Sequence, residues 1–152
     1  MQDLHRELSV PFDTTYLAQI RMAVLEVVGD GMFPQVKANM IALAVDEAVA
    51  NIMEHAFEGD CDYTARAHSQ IEVVLDANAE RFEVLIRDRG VGFDPRVAPD
   101  VDIKEHVKAG RKGGLGIFLM RRIMDEVNYS FKQGVQNELQ MIKYVNATNR
   151  LQ

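Results

Sequence analysis

Polar and apolar residues alternate over residues 5–12, and apolar residues then recur at helical spacing through Leu17, Ile20, Val24 and Val27/Val28. The first pattern predicts a short edge strand, which Pro11 limits because it has no N–H to donate. The second predicts a helix over about 14–28, capped by Asp13 or Thr14 and broken by Gly29-Asp30-Gly31. Pro34 suits a first helical turn, so a second helix is expected to about Phe57, ended by Gly59-Asp60. Its middle, Met40 to Met53, is apolar almost all round, the pattern of a buried central helix. Residues 58–70 are polar and mixed and read as a loop. Strands at Ile71–Asp76 and Arg81–Asp88 follow, joined by an Ala77-Asn78-Ala79-Glu80 hairpin turn. Residues 93–112 carry Pro95, Pro99, Gly110 and several charges without a period; a connection this long reads as a lid. A third helix is expected at about 115–126, then strands at 127–133 and 138–145 around Gly134.

That order predicts a single domain over 1–152, an α+β two-layer sandwich. Its sheet is expected to be mixed but mostly antiparallel, with about three helices on one face. Composition narrows the class. Apolar residues make up 47% and charged residues 26%, as in folded globular chains. A net charge of −6 argues against a nucleic-acid-binding surface, which rewards clustered Lys and Arg. A single cysteine, Cys61, excludes an intrachain disulfide and fits a reducing compartment. The N-terminus has no apolar run, and no stretch approaches the ~20 apolar residues of a membrane span. A cytoplasmic protein with no membrane partner is expected.

Glu47 and Asn51 lie four residues apart, hence on one face of the second helix. Buried there, a carboxylate and an amide are costly unless paired or engaged by a ligand. In one reading Asn51 gives its carbonyl oxygen to Mg²⁺ and Glu47 is a general base; in the other, the polar stripe simply reaches solvent. Asp46 faces elsewhere, as a solvated or capping charge, and His55 continues the Glu47 face as a satisfied structural histidine or a ligand contact. On the second hairpin strand, Phe82, Val84, Ile86 and Asp88 share a face, so Asp88 points inward at its end. An interior carboxylate accepts from the exocyclic amine of adenine and repels the O6 of guanine. Gly90 and Gly92 then permit a tight turn beneath a purine, although an ordinary Asp-x-Gly turn gives the same letters. Gly113-Gly114-Leu115-Gly116 opens the third helix, where backbone amides and the positive dipole end suit phosphates. Lys104, Lys108, Arg111 and Lys112 precede it as phosphate ligands or as a solvated lid. Met40, Met53, Met120 and Met124 read as core filler.

Together these segments resemble the ATP-binding superfamily of gyrase, heat-shock chaperones, sensor histidine kinases and mismatch-repair ATPases. The resemblance tightens in the single-domain bacterial anti-sigma-factor serine kinases. It is carried by Ala44-Val45-Asp46-Glu47-Ala48-Val49-Ala50-Asn51 with His55-Ala56-Phe57, and by Arg87-Asp88-Arg89-Gly90-Val91-Gly92-Phe93-Asp94. Gly113-Gly114-Leu115-Gly116-Ile117-Phe118-Leu119-Met120 and the closing Asn137-Glu138-Leu139-Gln140-Met141-Ile142-Lys143 complete it. The resemblance implies a Bergerat-type sandwich that binds ATP with Mg²⁺ and phosphorylates a serine of a STAS-domain anti-anti-sigma-type partner. A bound sigma factor and a homodimer go with the family. By position, Glu47 is then the base, Asn51 the Mg²⁺ ligand, Asp88 the adenine reader, and Gly90, Gly92, Gly114 and Gly116 shape the nucleotide site. Arg21 falls where such proteins present a partner-binding arginine, and a solvated helix charge is the other reading. Asn137 departs from the threonine common in the superfamily, keeping an amide that can bond a phosphate or water. The rival functions are a nucleotide-gated binding module without phosphotransfer and a simple ATPase.

Overall fold

The computed structural model describes residues 3–29, 31–55, 69–89, 115–132 and 136–146. Strand β1 (Leu4–Pro11) leads through a 3-10 turn (Thr14–Tyr16) into α1 (Leu17–Val28), and α2 (Gln35–His55) follows. Then come β2 (Gln70–Ala77), β3 (Arg81–Asp88), α3 (Leu115–Ile123), β4 (Glu126–Lys132) and β5 (Gln136–Tyr144).

Each element begins or ends for a local reason. Asp13 starts the first helical turn: its Oδ1 accepts from Thr15 N and Thr15 Oγ1, both at 2.9 Å. Those bonds, the backbone one first, hold its carboxyl below the usual aspartate range. Gly31, at φ 81°, supplies the left-handed backbone that turns the chain from α1 towards α2. Pro34 precedes α2, and its carbonyl accepts the first helical bond, from Ala38 N at 2.9 Å. The β2–β3 turn is set by Asn78, whose Oδ1 accepts from Glu80 N at 2.8 Å and Arg81 N at 3.0 Å. Helix α3 stops at Ile123, short of the expected 126. Asp125 is taken by the sheet instead: its Oδ2 accepts from Tyr144 N at 2.7 Å, and its own N–H donates to Ile142 O at 2.8 Å.

The strands form one sheet in the order β1-β2-β3-β5-β4. Every pairing among the described residues is antiparallel, so the sheet is not mixed. The reason is topological. A β3–helix–β4 unit would set two parallel strands side by side, but β5 pairs antiparallel with both and fills the gap between them.

The helices pack on one face, with α2 between α1 and α3. Alternation sends Phe82, Val84 and Ile86 of β3 into this core together with Val73 and Leu75 of β2, all fully buried. Burial of one such side chain is worth about 1.5–3 kcal/mol. The opposite face is a lattice of polar side chains. Arg87 Nε donates to Glu138 Oε2 at 2.7 Å, Gln140 Nε2 to Glu83 Oε2 at 2.7 Å and Asn128 Nδ2 to Gln140 Oε1 at 3.1 Å.

Helix α2 is not buried all round. Its inward side, including Ile41, Val45 and Val49, is fully enclosed, but Met40 and Leu43 stand on the solvent side. In a two-layer sandwich the central helix meets the sheet below and a helix on each flank, and nothing packs above it. Met40 is therefore surface, whereas Met53, Met120 and Met124 are core as expected. No helix among the described residues is long and apolar enough to cross a membrane.

Candidate functional site

Strand β3 carries its pattern through to its last residue. After Phe82, Val84 and Ile86, the side chain of Asp88 follows the same inward direction and is only 5% exposed. A carboxylate so placed needs donors. One comes from the facing strand: Asn137, opposite Asp88 in the β3–β5 register and 1% exposed, donates Nδ2–H to Asp88 Oδ1 at 3.1 Å. Beside them on the open face, the Arg87–Glu138 pair links the same two strands one position earlier. The hydrogen bond to Glu138 raises the Arg87 pKa above its usual value against the opposing effect of burial, with the carboxylates of Glu72 and Glu7 adding to the rise, so this cation stays charged at every relevant pH. A cavity of about 260 Å³ opens at this end of the sheet, lined by Ser69, Gln70 and Glu72 with Arg87, Asp88, Arg89 and Gln136, all of them outside α2.

The second half of the site lies on α2. Asn51 is 9% exposed, and its Nδ2 has no hydrogen-bond partner among the described residues. An unmet buried amide costs about 1–3 kcal/mol, a cost that a ligand oxygen would offset. A half-turn of the amide exchanges Nδ2 and Oδ1, so the same group suits a hard cation. The residue therefore fits a Mg²⁺–phosphate ligand. Glu47, one turn earlier on the same face, is half-buried and forms no ion pair among the described residues. Asp46 turns the other way and is held at 3.4 Å by Arg21 Nη2 of α1. That contact, rather than solvent or a cap, is what the sequence missed for Asp46. Arg21 itself is exposed.

The structure thus brings Asp88 and Asn137 into contact and sets Glu47 and Asn51 on one face of α2. Leu115 and Gly116 form the first residues of α3. Gly90, Gly92, Lys112, Gly113 and Gly114, with the expected lid at 93–112, lie outside the described residues, as does the side chain of His55.

The sequence profile of the histidine kinase-like ATPase domain matches residues 10–143. The chain belongs to that family. Within this ATPase family it is similar to the serine-protein kinase RsbW of Bacillus cereus (strain AH187), at 28% identity over 91% of this chain and 84% of the relative. The serine-protein kinase RsbW of Listeria monocytogenes serovar 1/2a is 29% identical over 91% and 86%. These relatives agree with the resemblance to anti-sigma-factor serine kinases seen in the sequence. Among solved structures, a chain of the SiaB–SiaC complex from Pseudomonas aeruginosa superposes with a TM-score of 0.63 at 16% identity, covering 90% of this chain and 88% of that one. At that identity the likeness speaks to the fold, which is the α+β sandwich described above.

Proposed function

We propose that this member of the ATPase family is an ATP-dependent protein serine kinase of the partner-switching, anti-sigma type. Its acceptor is a serine on a STAS-domain protein, and it works in the cytoplasm. The observation that carries the reading is the division of the polar residues that are buried or half-buried. A carboxylate fixed by a neighbouring amide stands at a strand end, and a carboxylate and an amide stand together on the central helix. Such a division suits recognition of a base at one end and chemistry at the other.

In this mechanism Asp88, oriented by Asn137, accepts a hydrogen bond from the adenine amine. Asn51 would hold Mg²⁺, which when bound neutralises phosphate charge. Gly90, Gly92, Lys112, Gly113, Gly114, Leu115 and Gly116 are assigned to the nucleotide by position in the family pattern, the helix-opening amides meeting phosphate. Glu47 takes the hydroxyl proton of the acceptor serine as its oxygen attacks the terminal phosphorus of ATP. The new P–O bond forms on serine, the bond to the bridging oxygen breaks, and ADP leaves. Most of the rate comes from positioning and charge, as is usual in phosphoryl transfer. Arg21, exposed on α1 beside Asp46, is assigned to the partner by position in the family pattern. Sigma-factor binding and a homodimer accompany this assignment.

The test is to incubate the protein with Mg²⁺, γ-labelled ATP and a panel of purified STAS-domain proteins from the same organism, and to locate the label. Phosphoserine on one of them is expected. Saturable ATP binding with no label on any of them would replace the kinase by a nucleotide-gated binding module; hydrolysis without an acceptor would leave a simple ATPase.

A further inference from the structure

The outward face of α2 is apolar where the fold gives no reason for it to be. Val36 is 74% exposed, Met40 46% and Leu43 42%. Single exposed apolar residues are ordinary on any surface, but these three are aligned. They follow one another at i, i+4 and i+7, and the next position in the row, i+11, is Glu47. At 3.6 residues per turn the four fall within a sector of about 60°. The core does not use this row, since the helix is enclosed on its other side through Ile41, Val45, Ala48 and Val49.

We infer that Val36, Met40 and Leu43 form the docking ridge for the acceptor protein, which lies along α2 with an exposed apolar patch beside its serine. The inference rests on Glu47 being the base proposed above. A general base must come within about 2.6–3.2 Å of the hydroxyl it deprotonates. The acceptor's surface is therefore pressed against α2 at Glu47, and whatever adjoins Glu47 on the solvent side is covered by it. Val36 lies eleven residues from Glu47, about 16 Å along the helix axis. That distance falls inside the contact patch of a standard interface, which buries roughly 800 Å² per partner. Continuity with Glu47 also selects the occupant: a second copy of this chain on the ridge would cover the base and exclude the acceptor.

The experiment uses the full chain carrying Val36→Ser, Met40→Gln and Leu43→Gln together. The acceptor is the STAS-domain protein that takes the label from the unaltered chain. Unchanged ATP affinity reports an intact fold and nucleotide site. The expected result is a KM for the acceptor raised about tenfold or more, with kcat at saturating acceptor unchanged, because ridge residues bind and do not react. An unchanged KM overturns the docking ridge alone, since the unaltered chain still transfers phosphate. A loss confined to kcat overturns it too, assigning the row to the chemistry of α2. If sedimentation shows that the triple variant dissociates into monomers while the acceptor KM is unchanged, the ridge is an interface between copies. If the unaltered chain labels no acceptor, the kinase reading falls and takes the ridge with it.

Discussion

Asp88 stands at the end of β3 with Asn137 Nδ2 already 3.1 Å from its carboxylate. Glu47 and the Nδ2 of Asn51, on α2, find no such contact among the described residues. Asp88, Asn137 and Asn51 are buried against an apolar core and Glu47 is half-buried, so a desolvation cost bears on both regions. The sheet meets part of that cost with its own register, because β5 sets an amide opposite the strand-end acid, while the Oδ1 of Asn137 makes no hydrogen bond among the described residues. The helix could do the same, as Gln35 Nε2 donating to Asn39 Oδ1 at 2.9 Å one turn apart shows, yet Glu47 and Asn51 are not joined in this way. A fixed group is suited to recognising something that does not change, such as a base. Groups without partners among the described residues are suited to ligands and protons that come and go.

The sharpest way to break this comparison is at Glu47. Glu47→Gln keeps the shape and removes the proton acceptor, so transfer to the acceptor should fall by roughly 10²- to 10⁴-fold. ATP binding, measured by calorimetry, should stay within about twofold if base recognition belongs to the sheet. Retained transfer would remove Glu47 from the mechanism. A matching loss of ATP affinity would show instead that the two regions are one.

The sheet region is probed through its pair. Asp88→Asn presents an amide where the adenine amine needs an acceptor and should weaken ATP binding about tenfold or more. Asn137→Asp is more informative, because it sets two carboxyls about 3 Å apart, where both cannot ionise without cost. Protonating one of them restores a donor to the other. ATP affinity should therefore be poor near pH 8 and recover as pH falls, while Asn137→Thr, which keeps an O–H donor, stays close to the unaltered protein. A flat pH profile for Asn137→Asp would show that Asn137 does not hold the base-reading acid.

Much of this was legible in the letters. Period-two alternation in Phe82, Val84, Ile86 and Asp88 located both the strand and the inward acid, since a buried face leaves only one register open. The Glu47/Asn51 spacing placed those two side chains on one face in the same way. Besides the Arg21 contact of Asp46, three things were not legible. The partnership of Asn137 with Asp88 joins residues far apart in the chain and depends on β5 entering beside β3, which no local pattern encodes. The sheet's wholly antiparallel character has the same origin. The exposure of Met40 and Leu43 escaped for another reason: apolarity all round a helix records where apolar residues sit, not whether the fold brings anything to cover them. The signal that could have found it was the layer count, because three helices on one sheet leave the central helix open above.

The smallest effect lies on the open face, remote in role from both regions, and serves to calibrate them. His5 of β1 bonds through Nδ1 to Asp76 Oδ1 at 2.5 Å and through Nε2 to Glu7 Oε1 at 3.1 Å. The bond to Asp76 first, then that to Glu7, raises the pKa of His5 above its ordinary value of about 6.5. A histidine whose pKa is higher folded than unfolded adds stability below the unfolded value. That contribution is lost as pH rises through the raised one. The pair is solvent-exposed, so the gain is small and screened by salt. His5→Gln should therefore lower Tm slightly near pH 6 and not measurably near pH 9, with ATP affinity untouched at either pH. Equal Tm differences at both values would assign the effect to packing of the edge strand. A change in ATP affinity would mean that the open face communicates with the pair at Asp88, and the independence of the sheet's two faces would have to be given up.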